Sequence, residues 1–230
     1  MFGVQPRQLA LALPHEESLT REDFLAGPSN RDALAMIERW PDWPARLCVL
    51  AGPEGSGKSH LAAIWAQMAG ARIVSARALN VAMVPGALAT GALVVEDLAV
   101  GEIDERALFH LINLARQDEA FVLITARTAP AGWDIALRDL ASRLRALPVV
   151  RIEPPDDVLV RALIVKLGAD RQMNLDEPLV NYLASRVERS FAAIRILMTE
   201  LDEESLRRQR PITRHLAGDI LRAHEQPDLF

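Results

Sequence analysis

Cysteine is almost absent from this chain. Cys48 stands alone among 230 residues, so no internal disulfide can form and nothing in the composition points to an oxidising compartment. It lies in the apolar run Leu47-Cys48-Val49-Leu50 and reads as a buried structural thiol rather than a nucleophile. Positive charge is not in excess either: 26 lysines and arginines face 31 aspartates and glutamates, for a net charge of −5. That balance argues against a protein whose main partner is a nucleic-acid backbone, while leaving room for a local basic patch. The five histidines show no metal-ligand spacing. No cationic segment followed by an apolar run opens the sequence, so no secretory leader is expected and the expected location is cytoplasmic. One uncharged stretch, residues 78–95, approaches membrane-spanning length. Asn80, Pro85, Gly86, Thr90 and Gly91 break it into a loop and a strand, so no membrane partner is expected. Internal repeats and low-complexity tracts are missing as well. What remains is a chain with half its residues hydrophobic, able to bury roughly 70% of its unfolded surface without disulfides or a structural metal.

Between Arg46 and Ile152 short apolar runs alternate with helical patterns, the order of a parallel sheet covered by helices. Strands are predicted at 47–51, 72–75, 93–96, 121–125 and 149–152, and helices at 58–69, 105–117 and 134–144, with Gly70 as a C-cap. The fold class is α/β, in which ligands bind beyond the carboxyl ends of the strands. At Glu153-Pro154-Pro155-Asp156 the pattern changes, because two prolines stop regular structure. Apolar residues then recur at helical spacing over 156–167, 177–187 and 191–207, and a fourth helix is expected over 212–224 after Pro211. The expected division is a tail (1–14), an α/β domain with a five-stranded parallel sheet (15–153), a small all-helical domain (154–224) and a C-terminal tail (225–230). The four tryptophans, Trp40, Trp43, Trp65 and Trp133, read as packing residues.

The first predicted strand runs into Gly52-Pro53-Glu54-Gly55-Ser56-Gly57-Lys58-Ser59, which fits G-x-x-x-x-G-K-[ST] between a strand and a helix. Its glycines let backbone N–H groups turn inward around phosphates, and the following helix adds its dipole. Lys58 can reach the β and γ phosphates and Ser59 can ligate Mg²⁺. The third strand ends in Leu93-Val94-Val95-Glu96-Asp97-Leu98, an apolar strand with two terminal carboxylates, one suited to order a magnesium shell and one to polarise a water. Glu96 stands where such strands usually carry aspartate, and a displacement of about 1 Å can cost on the order of a hundredfold in rate. Nucleotide binding, with ATP or ADP, is therefore the firmer expectation, and turnover by the chain itself is left open.

With these motifs the sequence resembles AAA+ proteins of the bacterial replication-initiator group over about residues 23–221. Gly27-Pro28-Ser29-Asn30-Arg31 resembles the box that wraps the nucleotide base, placing Asn30 and Arg31 at the cofactor, although Ser29 also reads as a simple helix cap. Gly57-Lys58-Ser59-His60-Leu61 resembles the extended phosphate loop of DnaA and the helicase loaders. Leu123-Ile124-Thr125 falls where sensor 1 lies, Thr125 reading equally as an ordinary strand residue. Leu140-Ala141-Ser142-Arg143, followed by Arg151-Ile152-Glu153-Pro154-Pro155, resembles the arginine-finger box. The resemblance makes Arg143 the finger and a self-association contact. The alternative is a solvated helix-end cation among Arg138, Arg145 and Arg151.

The departures narrow the resemblance. Ser190-Phe191-Ala192-Ala193 replaces the pattern that holds the initiator's lid arginine, with Arg195 one turn later on the same face. Arg127 stands where the initiator has aspartate. Both changes weaken sensing of the chain's own γ-phosphate. The initiator's helix-turn-helix domain is not matched, so direct sequence-specific DNA binding is not expected. In the N-terminal tail, Gln8-Leu9-Ala10-Leu11-Ala12-Leu13 alternates with period two and resembles a sliding-clamp-binding peptide through Gln8, Leu9, Leu11 and Leu13, against the plain reading of an edge strand. Gln226-Pro227-Asp228-Leu229-Phe230 resembles a second such peptide or is a frayed end. A DnaA-like AAA+ module with a clamp peptide resembles the Hda branch of that family. The resemblance implies a regulator that docks on the DNA-loaded clamp and stimulates ATP hydrolysis by DnaA, so preventing re-initiation. The alternatives are a helicase-loader or transposition-helper ATPase, or an adaptor without a role in hydrolysis.

Overall fold

The computed structural model describes residues 19–225, so the tail residues Gln8, Leu9, Leu11 and Leu13, and the 226–230 segment, lie outside the described residues. Helix α1 (Arg31–Glu38) leads to β1 (Leu47–Ala51), α2 (Lys58–Ala69), β2 (Arg72–Ser75), a short α3 (Val84–Ala87), β3 (Ala92–Leu98), α4 (Glu105–Gln117), β4 (Phe121–Ala126), α5 (Arg138–Arg145) and β5 (Val149–Arg151). The strands form one parallel sheet in the order β2-β3-β4-β1-β5.

Strand periodicity sorts the side chains into two layers. Leu47, Val49, Leu93, Val95, Val122 and Ile124 face a layer built with α4 and α5. Cys48, Leu50, Val94 and Leu123 face the opposite layer, with α1 and α2. There Trp43 stacks on the fully buried Trp65, ring centroids 4.8 Å apart, and its indole N–H donates to the Met36 carbonyl at 2.7 Å. Burial pushes the Cys48 thiol up to about 11, against a smaller lowering from its bond to the Ala45 backbone. The folded protein will therefore resist thiol reagents near neutral pH and react only on unfolding; rapid labelling without denaturant would contradict this packing.

Helices α6 (Asp157–Asp170), α7 (Glu177–Ala184), α8 (Phe191–Arg208) and α9 (Arg214–Glu225) close around a separate core that includes Leu163, Ile164, Leu183, Ile194 and Leu197. Their starts are written locally. Asp156, Asp176 and Ser190 each accept a hydrogen bond from a backbone N–H of the first turn, a cap worth about 1 kcal/mol. The chain is thus a parallel five-stranded α/β layer structure with a small helical lid, the expected fold class. No helix among the described residues is long and apolar enough to cross a membrane.

Two local expectations shift. The helix expected over 134–144 begins at Arg138, because the N–H groups of Ala136 and Leu137 donate to the Glu105 carboxylate (2.9 and 2.8 Å) instead of entering a helix. The stretch read as loop before β3 contains α3, with Pro85 in its first turn, a position proline tolerates.

Candidate functional site

The carboxyl ends of β1, β3 and β4 lie side by side in the sheet, and a cavity of about 670 Å³ opens beyond them. The loop after β1 forms its floor. Gly55 and Gly57 have φ of 66° and 92°, a region that L side chains avoid. A Cβ on Gly52 would lie 2.8 Å from both the Ile152 carbonyl and Ser56 Oγ. Lys58 is nearly buried and its Nζ donates to the Gly52 and Pro53 carbonyls at 2.9 and 2.7 Å. Burial holds its pKa below the ordinary lysine value, with Asp97 opposing most strongly among the nearby charges. Ser56 Oγ is buried with no hydrogen-bond partner among the described residues, the condition of a polar group in a cradle shaped for an anion.

Glu96 and Asp97 occupy an irregularity rather than a regular strand end. The β3–β4 register shifts between Val95 and Leu98, and Asp97 takes φ 54°, so the usual alternation of faces is broken. The fully buried Thr125 accounts for that bend: its Oγ1 accepts the Asp97 N–H at 3.0 Å. Asp97 lines the cavity. Glu96 is pushed above the usual carboxylate range by burial, while a hydrogen bond from Ser59 and the charge of Lys58 oppose the shift. Ser59 and Glu96 thus present neighbouring oxygens of the hard type that Mg²⁺ takes. Among the described residues no group of three or more His, Cys, Asp or Glu forms a metal cage, so a cation here would depend on anion and water ligands as well.

The remaining sequence candidates divide. Glu54, Gly55, Gly57, Lys58, Ser59 and His60 line the cavity; Gly52, Pro53 and Ser56 shape the loop behind it. His60 Nε2 meets the Thr20 carbonyl at 2.7 Å and its ring stands edge-on to Phe24, joining the phosphate loop to the segment before α1. Asn30 and Arg31 do not line the cavity. The buried Asn30 amide accepts from the Gly27 N–H and donates to the Leu25 carbonyl, holding the turn that carries Phe24 and Leu25 to the cavity wall. Arg31 is exposed. Arg143 also lies away from the cavity: its Nη1 donates to Asn113 at 2.7 Å and its guanidinium sits over the Phe109 ring.

The lid supplies Leu163, which sequence did not announce, beside Phe191, Ala192 and Arg195 of the segment compared with the initiator. Leu163, Phe191, Ala192 and Arg195 close the cavity from above, and the Phe191 N–H donates to the Gly55 carbonyl at 2.9 Å. Lys166 pairs with Asp23 at 3.0 Å across the same seam. Arg127, at the end of β4, pairs with Glu54 at 2.6 Å over the cavity mouth. Ala192 of α8 lies directly against the loop: a Cβ on Gly55 would stand 2.6 Å from its side chain.

A family model of the Hda lid domain matches residues 156–221. Among solved structures, domain III of the Thermotoga maritima replication initiation protein DnaA is similar with a TM-score of 0.74 at 19% identity, over 91% of this chain and 98% of that one. AMPPCP-bound DnaA from Aquifex aeolicus is similar with a TM-score of 0.64 at 21% identity, over 82% of this chain and 67% of that one. The Thermotoga maritima Holliday junction branch migration motor RuvB is similar with a TM-score of 0.69 at 16% identity, over 90% and 72% of the two chains. Likeness at these identities establishes the fold, and the lid match adds the kind of lid.

Proposed function

We propose that this chain, with the fold of DnaA domain III and a lid that matches the Hda lid model, is a DnaA-like AAA+ protein that binds ATP or ADP with Mg²⁺ and acts on the ATP held by DnaA. In this reading Gln8, Leu9, Leu11 and Leu13 dock the chain on the DNA-loaded sliding clamp, and Arg143 reaches the partner's γ-phosphate, which stimulates hydrolysis and prevents re-initiation. The observation that carries it is the separation of two cationic sites. Lys58 serves the chain's own cavity, whereas Arg143 is presented elsewhere on α5 and is absent from that cavity's lining among the described residues.

The cavity residues fit a nucleotide. Lys58 and the loop N–H groups of Glu54, Gly55 and Gly57 would hold the phosphate chain, since Pro53 has no N–H and those of Gly52 and Ser56 donate to the Ala126 and Pro53 carbonyls, with Ser59 and Glu96 beside the place of a cation. Mg²⁺, when bound, would neutralise phosphate charge there. The segment around Phe24 and Leu25 and the lid residue Leu163 offer apolar walls for a base. The chain's own turnover is weak in this reading. Glu96 is longer by one methylene than the aspartate usual at this strand end, and the lid position matching the initiator's arginine carries only a methyl group.

The test is hydrolysis of DnaA-bound ATP in the presence of DNA-loaded clamp, with and without this chain. Stimulation that requires the clamp supports the proposal. Vigorous ATP turnover by the purified chain alone, with no effect on DnaA, would replace it with a self-sufficient motor of the helicase-loader or transposition-helper kind.

A further inference from the structure

The acidic composition left room for a local basic patch, and the lid carries one away from the nucleotide cavity. Tyr182 of α7 is half-buried. Helix α9 packs so closely on it that a Cβ on Gly218 would stand 2.9 Å from the Tyr182 hydroxyl, which fixes the ring between the two helices. The guanidinium carbons of Arg186 and Arg214 lie 4.2 and 4.5 Å from the centroid of that one ring. Arg186 follows the end of α7, Arg214 opens α9, and both are exposed. Arg186 Nη1 donates to Ser185 Oγ at 3.0 Å, and neither arginine pairs with a carboxylate among the described residues. Other arginines of the lid do: Arg189 pairs with Asp157, Arg222 with Asp219, and Arg207 and Arg208 with Glu204. Tyr182, Arg186 and Arg214 do not line the nucleotide cavity.

We propose that Arg186 and Arg214, braced on Tyr182, are a contact for the phosphate backbone of duplex DNA. Two like charges held against one ring repel each other. The negative face of the ring offsets that repulsion only in part, and an anionic ligand removes the rest. Arg214 also lies in the first turn of α9, which has no acidic residue, so its charge adds to the positive end of the helix instead of opposing it. A guanidinium is a planar fork that matches phosphate oxygens, and the aromatic brace removes part of the rotamer freedom that an arginine loses on binding. Phosphates recur along a backbone every few Å, so two arginines held at one place can meet two of them together. Such contacts carry no sequence information. The choice of duplex DNA rests on the reading that the chain works at a DNA-loaded clamp, where the duplex is at high local concentration and a contact of two phosphates is enough. Away from the clamp the net charge of −5 keeps this binding weak.

The experiment titrates the full chain and its R186A/R214A, R186K/R214K and R189A variants into a fluorescently labelled duplex of arbitrary sequence over a series of salt concentrations, with neither clamp nor DnaA present. Melting curves establish that each variant is folded. The double alanine variant is expected to bind about tenfold more weakly at low salt and to flatten the plot of log K against log salt by about two, as the loss of two phosphate contacts does. The double lysine variant keeps the charge without the fork and is expected to recover only part of the affinity. R189A, whose arginine is already paired with Asp157, is expected to match wild type. Equal affinity and equal slope in wild type and R186A/R214A, or no binding by wild type at low salt, would overturn the proposal. Displacement of the duplex by polyglutamate at equal charge concentration would overturn it too, and assign the face to an acidic protein segment. A chain that binds duplex through the two arginines yet leaves DnaA-bound ATP untouched would end the functional reading and leave this contact standing.

Discussion

On the proposed function, replacing Arg143 with alanine is expected to lower clamp-dependent hydrolysis of DnaA-bound ATP about 10³-fold or more, the range over which a trans-acting arginine governs phosphoryl transfer. The chain's own affinity for ATP and ADP will stay unchanged. Both halves follow from geometry. Arg143 is tied to Asn113 and Phe109 and is not part of the wall around Lys58 and Ser59, so its loss removes nothing from the chain's own cavity. Opposite a partner's γ-phosphate, by contrast, a guanidinium meets charge that spreads over several oxygens in the transition state, and several donors meet it at once. Lysine cannot substitute, because an ammonium is a point charge without the planar fork, so R143K is expected to recover little. Single-turnover hydrolysis of DnaA-bound ATP measures the first effect and nucleotide titration of the purified variant the second. Undiminished stimulation by R143A would show that Arg143 is not the finger.

The second large effect belongs to the seam between phosphate loop and lid. Gly55 has φ 66°, and a Cβ there would lie 2.6 Å from the Ala192 side chain and 2.7 Å from its backbone nitrogen. Gly70 supplies an internal control, since its φ is 62° but nothing lies within 4 Å of its Cβ position. Alanine at Gly70 therefore tests backbone strain alone, about 1 kcal/mol, and should leave nucleotide binding untouched. Alanine at Gly55 adds a collision with lid backbone, which does not yield as a flexible side chain would. Strain and displacement together cost roughly 2–4 kcal/mol. The bond from the Phe191 N–H to the Gly55 carbonyl is then lost, and α8 is pushed off the cavity it roofs. We expect G55A to weaken ATP and ADP binding about a hundredfold while the protein stays folded. Equal nucleotide affinity in G55A and G70A would show that the lid contact contributes nothing to holding the ligand.

Much of the architecture is legible in short-range pattern. The run Leu47-Cys48-Val49-Leu50, the glycines of the loop and the helix beginning at Lys58 announce a strand, a phosphate-type turn and a helix in direct succession. The prolines before Asp156 announce the change to helices, and Asp156, Asp176 and Ser190 mark helix starts with their own side chains. These features are visible because their physics is local: a β-strand repeats every two residues, a helix every three or four, and a cap acts within one turn. Where a partner far along the chain takes part, legibility ends. The start of α5 moved from 134 to 138 because Glu105 claims two of its amides.

The same division runs through the site. Composition and local order were enough to specify a parallel α/β layer, a helical appendage, a phosphate loop and a strand ending in carboxylates, since each depends on neighbours within a few residues. Folding settled what depends on distance. It bent β3 so that Asp97 meets the cavity while Thr125, 28 residues away, receives its N–H. It seated Ala192 against Gly55, and it laid one face of α4 along the segment that carries Arg143. Contacts between residues far apart in the chain leave no periodic trace in the sequence, because they are selected by the packing of completed elements and not by the propensities of the residues that make them.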